Sequence, residues 1–295
     1  MNCFILHHGI KEAIFQKELD SRNMENIQTH KNHKNQYALI TGASSGIGRY
    51  LSFELAKRGY SIVAVSNQVE ALETLKSECE KRFSISVNTI CCDLTKENAA
   101  EYLFDFCQSR EIVVDVLVNN AGILVYGEVI QVDTLEAKNI LNLHMQTPVL
   151  LCKLFGAPMA ANNYGYILNV SSISAIMPYP TISLYGPTKT FLRKFSRALR
   201  TEMKETGVIV SCLIPGATAT PLHDPYEVDI PLALKLGVMS RPEFVAKKAI
   251  NALFKNNAEC VPGVFNKLIM FLTPMVPNFM IQMIYKKTSR KEQAK

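Results

Sequence analysis

Short runs of apolar residues alternate with longer segments of mixed polarity from Tyr37 onward. The runs are rich in β-branched residues and leucine and carry few polar positions, which is typical of strands buried on both faces. The predicted strands are 37–41, 61–65, 86–91, 115–119, 166–171 and 208–214. The mixed segments between and after them predict helices near 46–58, 68–82, 96–109, 134–161, 184–206 and 242–255.

This alternation predicts an α/β fold, a single doubly wound parallel β-sheet with helices on both faces. The predicted domain covers residues 37–262, with a lid near 221–240. No internal repeat or low-complexity block interrupts it.

The two ends of the chain depart from this pattern. Residues 1–36 are mostly polar and predict an N-terminal appendage and linker. They lack the positive region and long apolar core of a secretory signal. Residues 263–295 predict an apolar C-terminal extension with a basic tail. Within it, Leu268–Tyr285 is apolar at most positions but is interrupted by Pro274 and Pro277.

Three roles for this extension stay open. A helix that spans a membrane needs about twenty apolar residues, and the two prolines argue against one. A broken amphipathic element could rest on a membrane while the tail engages anionic lipid. Equally, the extension could cover the substrate pocket or a partner subunit.

Composition limits the classes of function. Hydrophobic residues make up 48% of the 295 and charged residues 20%, which suits a globular fold and excludes overall disorder. The net charge is +6. Five cations and one acid among residues 286–295 give this tip a charge of +4. A basic tip on an otherwise balanced chain indicates contact with an anionic surface and no nucleic-acid groove.

Cysteine and histidine bear on compartment and metal binding. The eight cysteines are scattered and form no CxxC pair, which predicts free thiols in a reducing compartment. We therefore expect a cytoplasmic protein, with any membrane contact peripheral. The histidines lack companions at metal-ligand spacing, so no metal site is predicted. His144 and His223 are interpreted as packing or pocket-lining residues.

A glycine-rich loop, TGASSGIG at Thr41–Gly48, follows the first predicted strand and leads into the first helix. Glycines permit tight turns, let main-chain N–H groups approach an anion and let the helix pack close to the sheet. The helix N-terminus adds unpaired donors for a pyrophosphate. The cofactor-binding residues predicted in this loop are Gly42, Ser44, Ser45, Gly46, Ile47 and Gly48.

The end of the second strand bears on the choice of dinucleotide. In NAD-binding sheets an acidic residue about twenty positions beyond the glycines holds the ribose hydroxyls. Residues 65–68 read VSNQ and contain no acid. A 2′-phosphate would meet no carboxylate here, and Ser66, Asn67 or Arg49 could donate to it. We therefore favour NADP(H) over NAD(H), although the arginine usual in an NADP site is missing.

Further motifs follow in a fixed order. They are Asp93-Leu94 after the third strand, Asn119-Asn120-Ala121-Gly122 at the end of the fourth, Ser172 thirteen residues before Tyr185, the YxxxK pair Tyr185 and Lys189, and Pro215-Gly216 followed by Thr220. Together with the glycine loop they resemble the classical short-chain dehydrogenase/reductase family, from Tyr37 to about Thr220. The match in order and spacing is specific, although each piece alone is weak.

The resemblance implies a Rossmann fold and a dinucleotide cofactor. It implies that Asp93 and Leu94 hold the adenine and that the loop from Pro215 contacts the nicotinamide. It also implies a homodimer or homotetramer through the helices near 134–161 and 184–206. The cofactor-binding residues carried over are Asp93, Leu94, Asn120, Ala121, Gly122, Tyr185, Lys189, Pro215, Gly216 and Thr220.

Proton transfer accounts for the YxxxK pair. Hydride transfer to a carbonyl leaves an alkoxide, and a phenol can supply the proton that it needs. Lys189 lies four residues after Tyr185 on the same helical face, so its charge is expected to lower the pKa of the phenol. By resemblance, Ser172 hydrogen-bonds the substrate oxygen and Asn142 holds a water that links Lys189 to solvent. Ser171 is the rival of Ser172, and the spacing to Tyr185 decides for Ser172.

Pro187 lies inside the YxxxK motif, where a helix interior would not tolerate it. In the first turn its missing N–H has no intrahelical partner to lose. The helix is therefore expected to begin near Leu184 or Tyr185.

These observations predict an NADP(H)-dependent oxidoreductase that interconverts a ketone and a secondary alcohol, with Tyr185 as proton donor and acceptor. Loops after Gly122, after Ser172 and at 221–240 are rich in apolar residues, which favours a lipophilic substrate. Two alternatives stay open. One is a non-catalytic NAD(P)-binding redox sensor or scaffold, and the other is a sugar-nucleotide epimerase, which the short sequence after Thr220 disfavours.

Overall fold

A computed structural model describes the unit Gln36–Lys295 in part. The described residues are 36–176, 179–223, 230–235 and 237–273, followed by 276, 277, 279, 281–283 and 286. Most of the predicted appendage 1–36, the middle of the predicted lid and nearly all of the basic tail lie outside them.

Seven parallel strands form one sheet in the order β3-β2-β1-β4-β5-β6-β7. The strands are β1 Tyr37–Thr41, β2 Ser61–Ser66, β3 Val87–Cys91, β4 Val114–Asn119, β5 Gly165–Val170, β6 Val208–Leu213 and β7 Glu259–Cys260. The predicted doubly wound fold is confirmed, and each of the six predicted strands matches within one residue at either end. β7 was not predicted because two residues carry too little pattern to identify a strand.

Helices cover both faces of this sheet. They are α1 Gly46–Ala56, α2 Val69–Phe83, α3 Ala99–Gln108, α4 Thr134–Leu141, α5 Thr147–Ala161, α6 Tyr185–Glu202, α7 Ile230–Lys235, α8 Pro242–Phe254 and α9 Val264–Leu272. Side chains of β1 alternate between two buried clusters, Ala38 and Ile40 in one and Leu39 in the other. The first cluster includes α1, α2 and α8, and the second α3, α5 and α6.

The predicted helix over 134–161 is confirmed in extent, since helical structure runs without a gap from Thr134 to Ala161. A π-helical segment, Asn142–Gln146, lies within it between α4 and α5. Pro148 in the first turn of α5 explains the π turn, because it has no N–H for the carbonyl of His144 and its ring would clash with that carbonyl in a regular helix. The wider π turn therefore shifts the side chains of this segment relative to a straight helix.

The helix that contains the YxxxK pair begins where Pro187 requires. α6 starts at Tyr185, so Pro187 is its third residue, and the prediction of a first-turn proline is confirmed. Among the described residues no helix is both long enough and apolar enough to cross a membrane.

Candidate active site

A cavity of about 590 Å³ lies at the carboxyl ends of the strands. β1 and β4 are neighbours in the sheet, and the chain winds outward from them in opposite directions. Open α/β sheets bind ligands in the crevice at such a switch point. All the predicted cofactor-binding residues except Gly48 line this cavity.

The glycine loop has a backbone that other residues would strain. Gly42 and Gly46 have φ angles of 65° and 51°. A Cβ on Gly48 would lie 2.0 Å from the carbonyl oxygen of Gly42, so α1 packs directly on the loop. The loop and the N-terminus of α1 therefore have the form of an anion-binding cradle that fits a pyrophosphate.

The segment Asn119–Gly122, at the end of the neighbouring strand β4, holds the glycine loop in place through hydrogen bonds. The Thr41 hydroxyl donates to the Val118 carbonyl and accepts from the N–H groups of Asn120 and Ala121 at 2.9 and 3.1 Å. The side-chain amide of Asn120 donates to the carbonyls of Thr41 and Gly42. Asn120 thus holds the shape of the loop while it also lines the cavity.

The corner of the cavity beyond β2 is polar and carries no charge. The Ser44 and Ser66 hydroxyls are 2.7 Å apart, and Asn67 is exposed at the rim. Arg49 does not reach this corner, because its guanidinium pairs with Glu78 at 2.6 Å. The expectation that Arg49 could meet a 2′-phosphate is therefore wrong for this arrangement.

Among the described residues that line the cavity, Asp93 is the one with a carboxylate side chain. Its Oδ1 accepts from the N–H and the hydroxyl of Thr95 at 3.0 and 2.7 Å. These hydrogen bonds hold the pKa of Asp93 below its usual value, and Lys96 contributes. Leu94 beside it is buried, and its carbonyl accepts from the Thr147 hydroxyl.

Among the described residues that line the cavity, Lys189 is the one with a positively charged side chain, and 4% of this residue is exposed. Its Nζ donates to the Val170 carbonyl at 3.0 Å and lies 5.7 Å from the centre of the Tyr185 ring. Burial lowers the pKa of Lys189 to about 8. The ammonium is therefore mostly protonated at neutral pH and loses its proton just above it.

The pKa of Tyr185 is raised, whereas the sequence analysis expected it to be lowered. Burial is the largest cause, and a hydrogen bond with the Ser172 side chain works in the opposite direction. The charge of Lys189 does not outweigh the burial, since that ammonium is itself directed to the Val170 carbonyl. The Tyr185 hydroxyl is therefore held in its protonated form.

The two adjacent serines have different surroundings. The Ser171 hydroxyl donates to the main-chain carbonyl of Lys189 at 2.7 Å and is buried. The Ser172 hydroxyl is 2.7 Å from the Ser174 hydroxyl, and the Ser172 side chain lowers the pKa of Tyr185. The structure thus brings the Ser172 side chain to the Tyr185 side chain, whereas the Ser171 hydroxyl meets main chain of α6.

The predicted role of Asn142, which is to hold a water between Lys189 and solvent, stays a prediction. Its side-chain amide donates to the Thr95 carbonyl at 3.0 Å, and Asn142 is not among the described residues that line the cavity. The π turn instead directs His144 to the ring of Tyr185, with centroids 5.5 Å apart. The interpretation of His144 as a packing residue agrees with its complete burial, and its contact with Tyr185 is what the sequence did not reveal; Pro148 was the signal for the π turn.

The loop from Pro215 to Thr220 closes the cavity from the opposite side. A Cβ on Gly46 would meet the Thr220 side chain at 3.0 Å, so this loop reaches the glycine loop. Gly216 is packed against the side chain of Asn266 in α9. The Ile173 N–H donates to the Pro215 carbonyl, which connects the loop to the segment after Ser172. The side chain of His223 lies outside the described residues.

Comparison with known proteins agrees with this architecture. A family profile described as short chain dehydrogenase matches residues 36–230. The chain is 34% identical over 189 residues to 17-beta-hydroxysteroid dehydrogenase type 3 of Mus musculus, covering 63% of this chain and 61% of that protein. It is 32% identical over 191 residues to very-long-chain 3-oxoacyl-CoA reductase of Macaca fascicularis, with coverages of 63% and 61%. The chain thus matches about three fifths of the length of these relatives.

Solved structures show the same fold. A short-chain dehydrogenase from Sphingobium yanoikuyae in complex with NADPH superposes with a TM-score of 0.71 at 24% identity, covering 78% of this chain and 88% of that one. A 7beta-hydroxysteroid dehydrogenase superposes with a TM-score of 0.75 at 23% identity, with coverages of 82% and 93%. The profile match over most of the chain and the shared fold show that this protein belongs to the short-chain dehydrogenase family.

Proposed function

We propose that this protein is an NADP(H)-dependent oxidoreductase that reduces a lipophilic ketone to a secondary alcohol. The observation that carries the proposal is the convergence of Ser172, Tyr185 and Lys189 in the cavity that the glycine loop also lines. A dinucleotide bound there would supply a hydride. The residues around the cavity bind it, orient the ketone and deliver a proton.

Tyr185 is the proton donor. Its raised pKa keeps the phenol protonated at neutral pH, which is the form that can give a proton to a developing alkoxide. The reverse reaction requires the phenolate as proton acceptor. Reduction is the proposed direction because cells keep the NADPH pool reduced.

Ser172 holds the ketone oxygen. Its hydroxyl lies beside the Tyr185 side chain, so both groups can contact one substrate oxygen. A donor aimed at the place where negative charge develops stabilises the transition state more than the ground state. The 3-10 turn Ile173–Ala175 fixes this hydroxyl, because the Ser174 N–H donates to it at 3.2 Å.

Lys189 supplies a positive charge 5.7 Å from the centre of the Tyr185 ring. Its ammonium favours the anionic form of Tyr185 once the proton has left, and by family resemblance it also orients the nicotinamide ribose. Its own pKa of about 8 leaves it protonated at neutral pH.

The substrate class follows from the lining of the cavity. The apolar residues on the substrate side are Ile123, Leu124, Tyr126, Leu143, Ile173, Ile182 and Leu222. A mostly apolar wall with a few convergent polar groups favours a lipophilic ligand. The two relatives named for a hydroxysteroid and for a very-long-chain 3-oxoacyl-CoA suggest the two substrate types to test first.

NADP(H) is the proposed dinucleotide. The corner beyond β2 offers the hydroxyls of Ser44 and Ser66 and the exposed amide of Asn67, with no carboxylate to repel a 2′-phosphate. A cation for that phosphate is also missing from the described lining residues, so the expected preference over NAD(H) is modest.

α9 supports a peripheral membrane contact, because its polarity is inverted. Asn266 and Thr273, at and just after the helix, are buried, whereas Val264 and Phe271 are 84% and 73% exposed. Phe265, Leu268 and Leu272 are also exposed. An apolar helical face followed in sequence by a tip of charge +4 suits the surface of an anionic bilayer. We therefore place the protein in the cytoplasm at a membrane surface, which agrees with the free thiols of the described cysteines.

Sedimentation with vesicles tests this contact. Full-length protein should bind vesicles that contain phosphatidylserine more strongly than pure phosphatidylcholine vesicles. The Phe265→Ser/Phe271→Ser variant should lose that binding. The matched variant Phe244→Ser changes an exposed phenylalanine on α8 and should keep it. Equal binding by all three proteins would contradict the proposal.

We also propose a homodimer or homotetramer built through the region 134–161 and α6. Leu135 and Leu141 on α4 remain 64% and 42% exposed in the single chain, which suits burial against a second copy. Sedimentation velocity at several concentrations tests this, and a monomer at all of them would contradict it.

Consumption of NADPH tests the activity itself. The purified chain is assayed with a 17-ketosteroid, a long-chain 3-oxoacyl-CoA and a polar ketose. At least one lipophilic ketone should be reduced, and Tyr185→Phe should lower kcat by roughly 10²- to 10⁴-fold while NADPH still binds. Tyr102→Phe, which alters a half-exposed tyrosine on α3, is the control. NADPH binding without turnover of any carbonyl would favour the redox sensor or scaffold, and turnover by Tyr185→Phe at the wild-type rate would refute the proton-donor role.

A further inference from the structure

His144 is completely buried and connects two parts of the site. The Ile123 N–H donates to its Nε2 at 3.1 Å, and its Nδ1 is 2.9 Å from the Thr188 hydroxyl. The Thr188 hydroxyl in turn donates to the Tyr185 carbonyl at 2.8 Å. One side of the ring thus holds the loop that lines the cavity, and the other holds the first turn of α6.

These partners leave one form of the ring. A main-chain N–H can only donate, so Nε2 must accept and carries no proton. The single hydroxyl proton of Thr188 goes to the Tyr185 carbonyl, so Nδ1 must donate to Thr188. His144 is therefore neutral, with its proton on Nδ1. A second proton would make Nε2 a donor facing the Ile123 N–H, which is also a donor, and the bond to Ile123 would be lost.

The surroundings reinforce the neutral form. α6 presents the Lys189 ammonium and the Tyr185 phenol to the ring, while the Ile123 loop contributes only main-chain groups. Burial and the charge of Lys189 both move the pKa of His144 well below its usual value. The planes of the Tyr185 ring and the imidazole make an angle of 74°, so packing against Tyr185 also fixes the imidazole.

We propose that His144 is a positioning residue that acts as a permanently neutral clamp between the Ile123 loop and the start of α6. It sets the position of the Tyr185 hydroxyl relative to the cavity wall, and it neither gains nor loses a proton during turnover. Gly122 is part of the same fit, since a Cβ there would lie 3.0 Å from Nε2. This inference rests on the proposed reductase function.

The ring itself can be observed without any activity assay. In protein labelled with ¹⁵N-histidine, nitrogen–proton correlation spectra should show an unprotonated Nε2 and a protonated Nδ1 for His144. The signals should not change between pH 5 and 8, the range in which an ordinary histidine titrates. Assignment uses the His144→Phe spectrum. A proton on Nε2, or titration in that range, would overturn the clamp.

Kinetics separate positioning from proton transfer. His144→Phe keeps a flat ring but removes both hydrogen bonds, and it should lower kcat roughly 10- to 100-fold with little change in the KM for NADPH, as a small misplacement of a reacting group does. The pH profile of kcat should keep its shape and change only in height. Loss of an acidic limb between pH 5.5 and 7 in this variant would show that His144 takes up or releases a proton and would refute the inference.

Thr188 provides a second route that does not depend on the folding of the first variant. Thr188→Val removes the acceptor for Nδ1 and should lower kcat, and Thr188→Ser should restore most of what is lost. Equal kcat in the two variants would contradict the clamp. Absence of ketone reduction by the wild-type protein would refute the proposed function and leave the spectroscopic result standing, so the two failures are distinguishable.

Discussion

Asn266 in the first turn of α9 packs directly against Gly216 in the loop that lines the cavity. A Cβ on Gly216 would lie 2.1 Å from Oδ1 of Asn266, and the three atoms that it would meet all belong to that side chain. The amide of Asn266 is itself fixed, since it donates to the Pro262 carbonyl at 2.7 Å. The C-terminal helix is therefore in contact with the loop that the resemblance places at the nicotinamide.

Gly216→Ala should destabilise the protein by about 1 to 3 kcal/mol, the usual cost of inserting a methyl group into a packed site. Asn266→Ala alone should cost about 1 kcal/mol through its lost hydrogen bond. The double variant should cost less than the sum, because it removes the atoms that the new methyl group meets. Urea unfolding of the four proteins measures the coupling, and simple additivity would contradict the contact.

Gly48→Ala should destabilise the protein more than Gly216→Ala does, because the new methyl group would meet main-chain atoms. The new Cβ would lie 2.0 Å from the Gly42 carbonyl oxygen, and that loop cannot move without giving up its bonds to Asn120. We expect loss of NADPH binding by at least roughly tenfold, with lower stability. Gly156→Ala in α5 is the control, since the nearest atom to its Cβ would be the flexible end of Met203 at 3.2 Å. Fluorescence titration with NADPH compares the two, and equal affinity would contradict the role of the cradle.

The pKa of Lys189 predicts two changes with pH. As pH rises through about 8 the ammonium is lost, so kcat for ketone reduction should fall above that pH. Stability should move in the opposite direction. The unfolded chain keeps this proton up to its ordinary pKa near 10.5 while the folded one releases it near 8, so folding becomes more favourable as pH rises between these values.

Lys189→Met isolates this contribution. The free energy of unfolding of the wild type should gain about 3 kcal/mol relative to the variant between pH 8 and 10.5, as a shift of two to three pKa units implies. Urea unfolding across that interval gives the difference. Parallel pH dependence of the two proteins would show that Lys189 titrates normally in the folded chain.

The sheet and the positions of the motifs could be predicted from the sequence because both are local signals. Buried parallel strands such as β1 and β2 are nearly continuous apolar runs, and the glycine loop and YxxxK pair are fixed by short spacings. The start of α6 could be predicted from the steric limits that Pro187 places on a helix. These features depend on a few neighbouring residues, so no long-range packing was needed to find them.

The misplaced features depend on packing between distant segments. Asn142 and His144 are two residues apart, and the π turn decides which of them faces Tyr185. The raised pKa of Tyr185 reflects burial by several elements, whereas sequence spacing revealed only the charge of Lys189. Arg49 directly follows the glycine loop in sequence and was therefore a candidate donor to a 2′-phosphate. In the structure its guanidinium pairs with Glu78 on α2 instead.

We expect Asn67 to influence the choice between NADPH and NADH. It is the first residue after β2, exposed at the rim of a corner whose described lining carries no charge, so a new charge there has no neighbour to neutralise it. Asn67→Arg should lower the KM for NADPH roughly tenfold and Asn67→Asp should raise it by a similar factor, since a charge-assisted hydrogen bond contributes about 1.5 to 3 kcal/mol. The aspartate variant should also use NADH better, because its carboxylate can accept from both ribose hydroxyls.

Asn257→Asp places the same charge on an exposed residue outside the cavity and should change neither constant. If both Asn67 variants keep the wild-type ratio of NADPH to NADH use, the 2′-phosphate lies elsewhere and the proposed basis for NADP(H) preference is wrong.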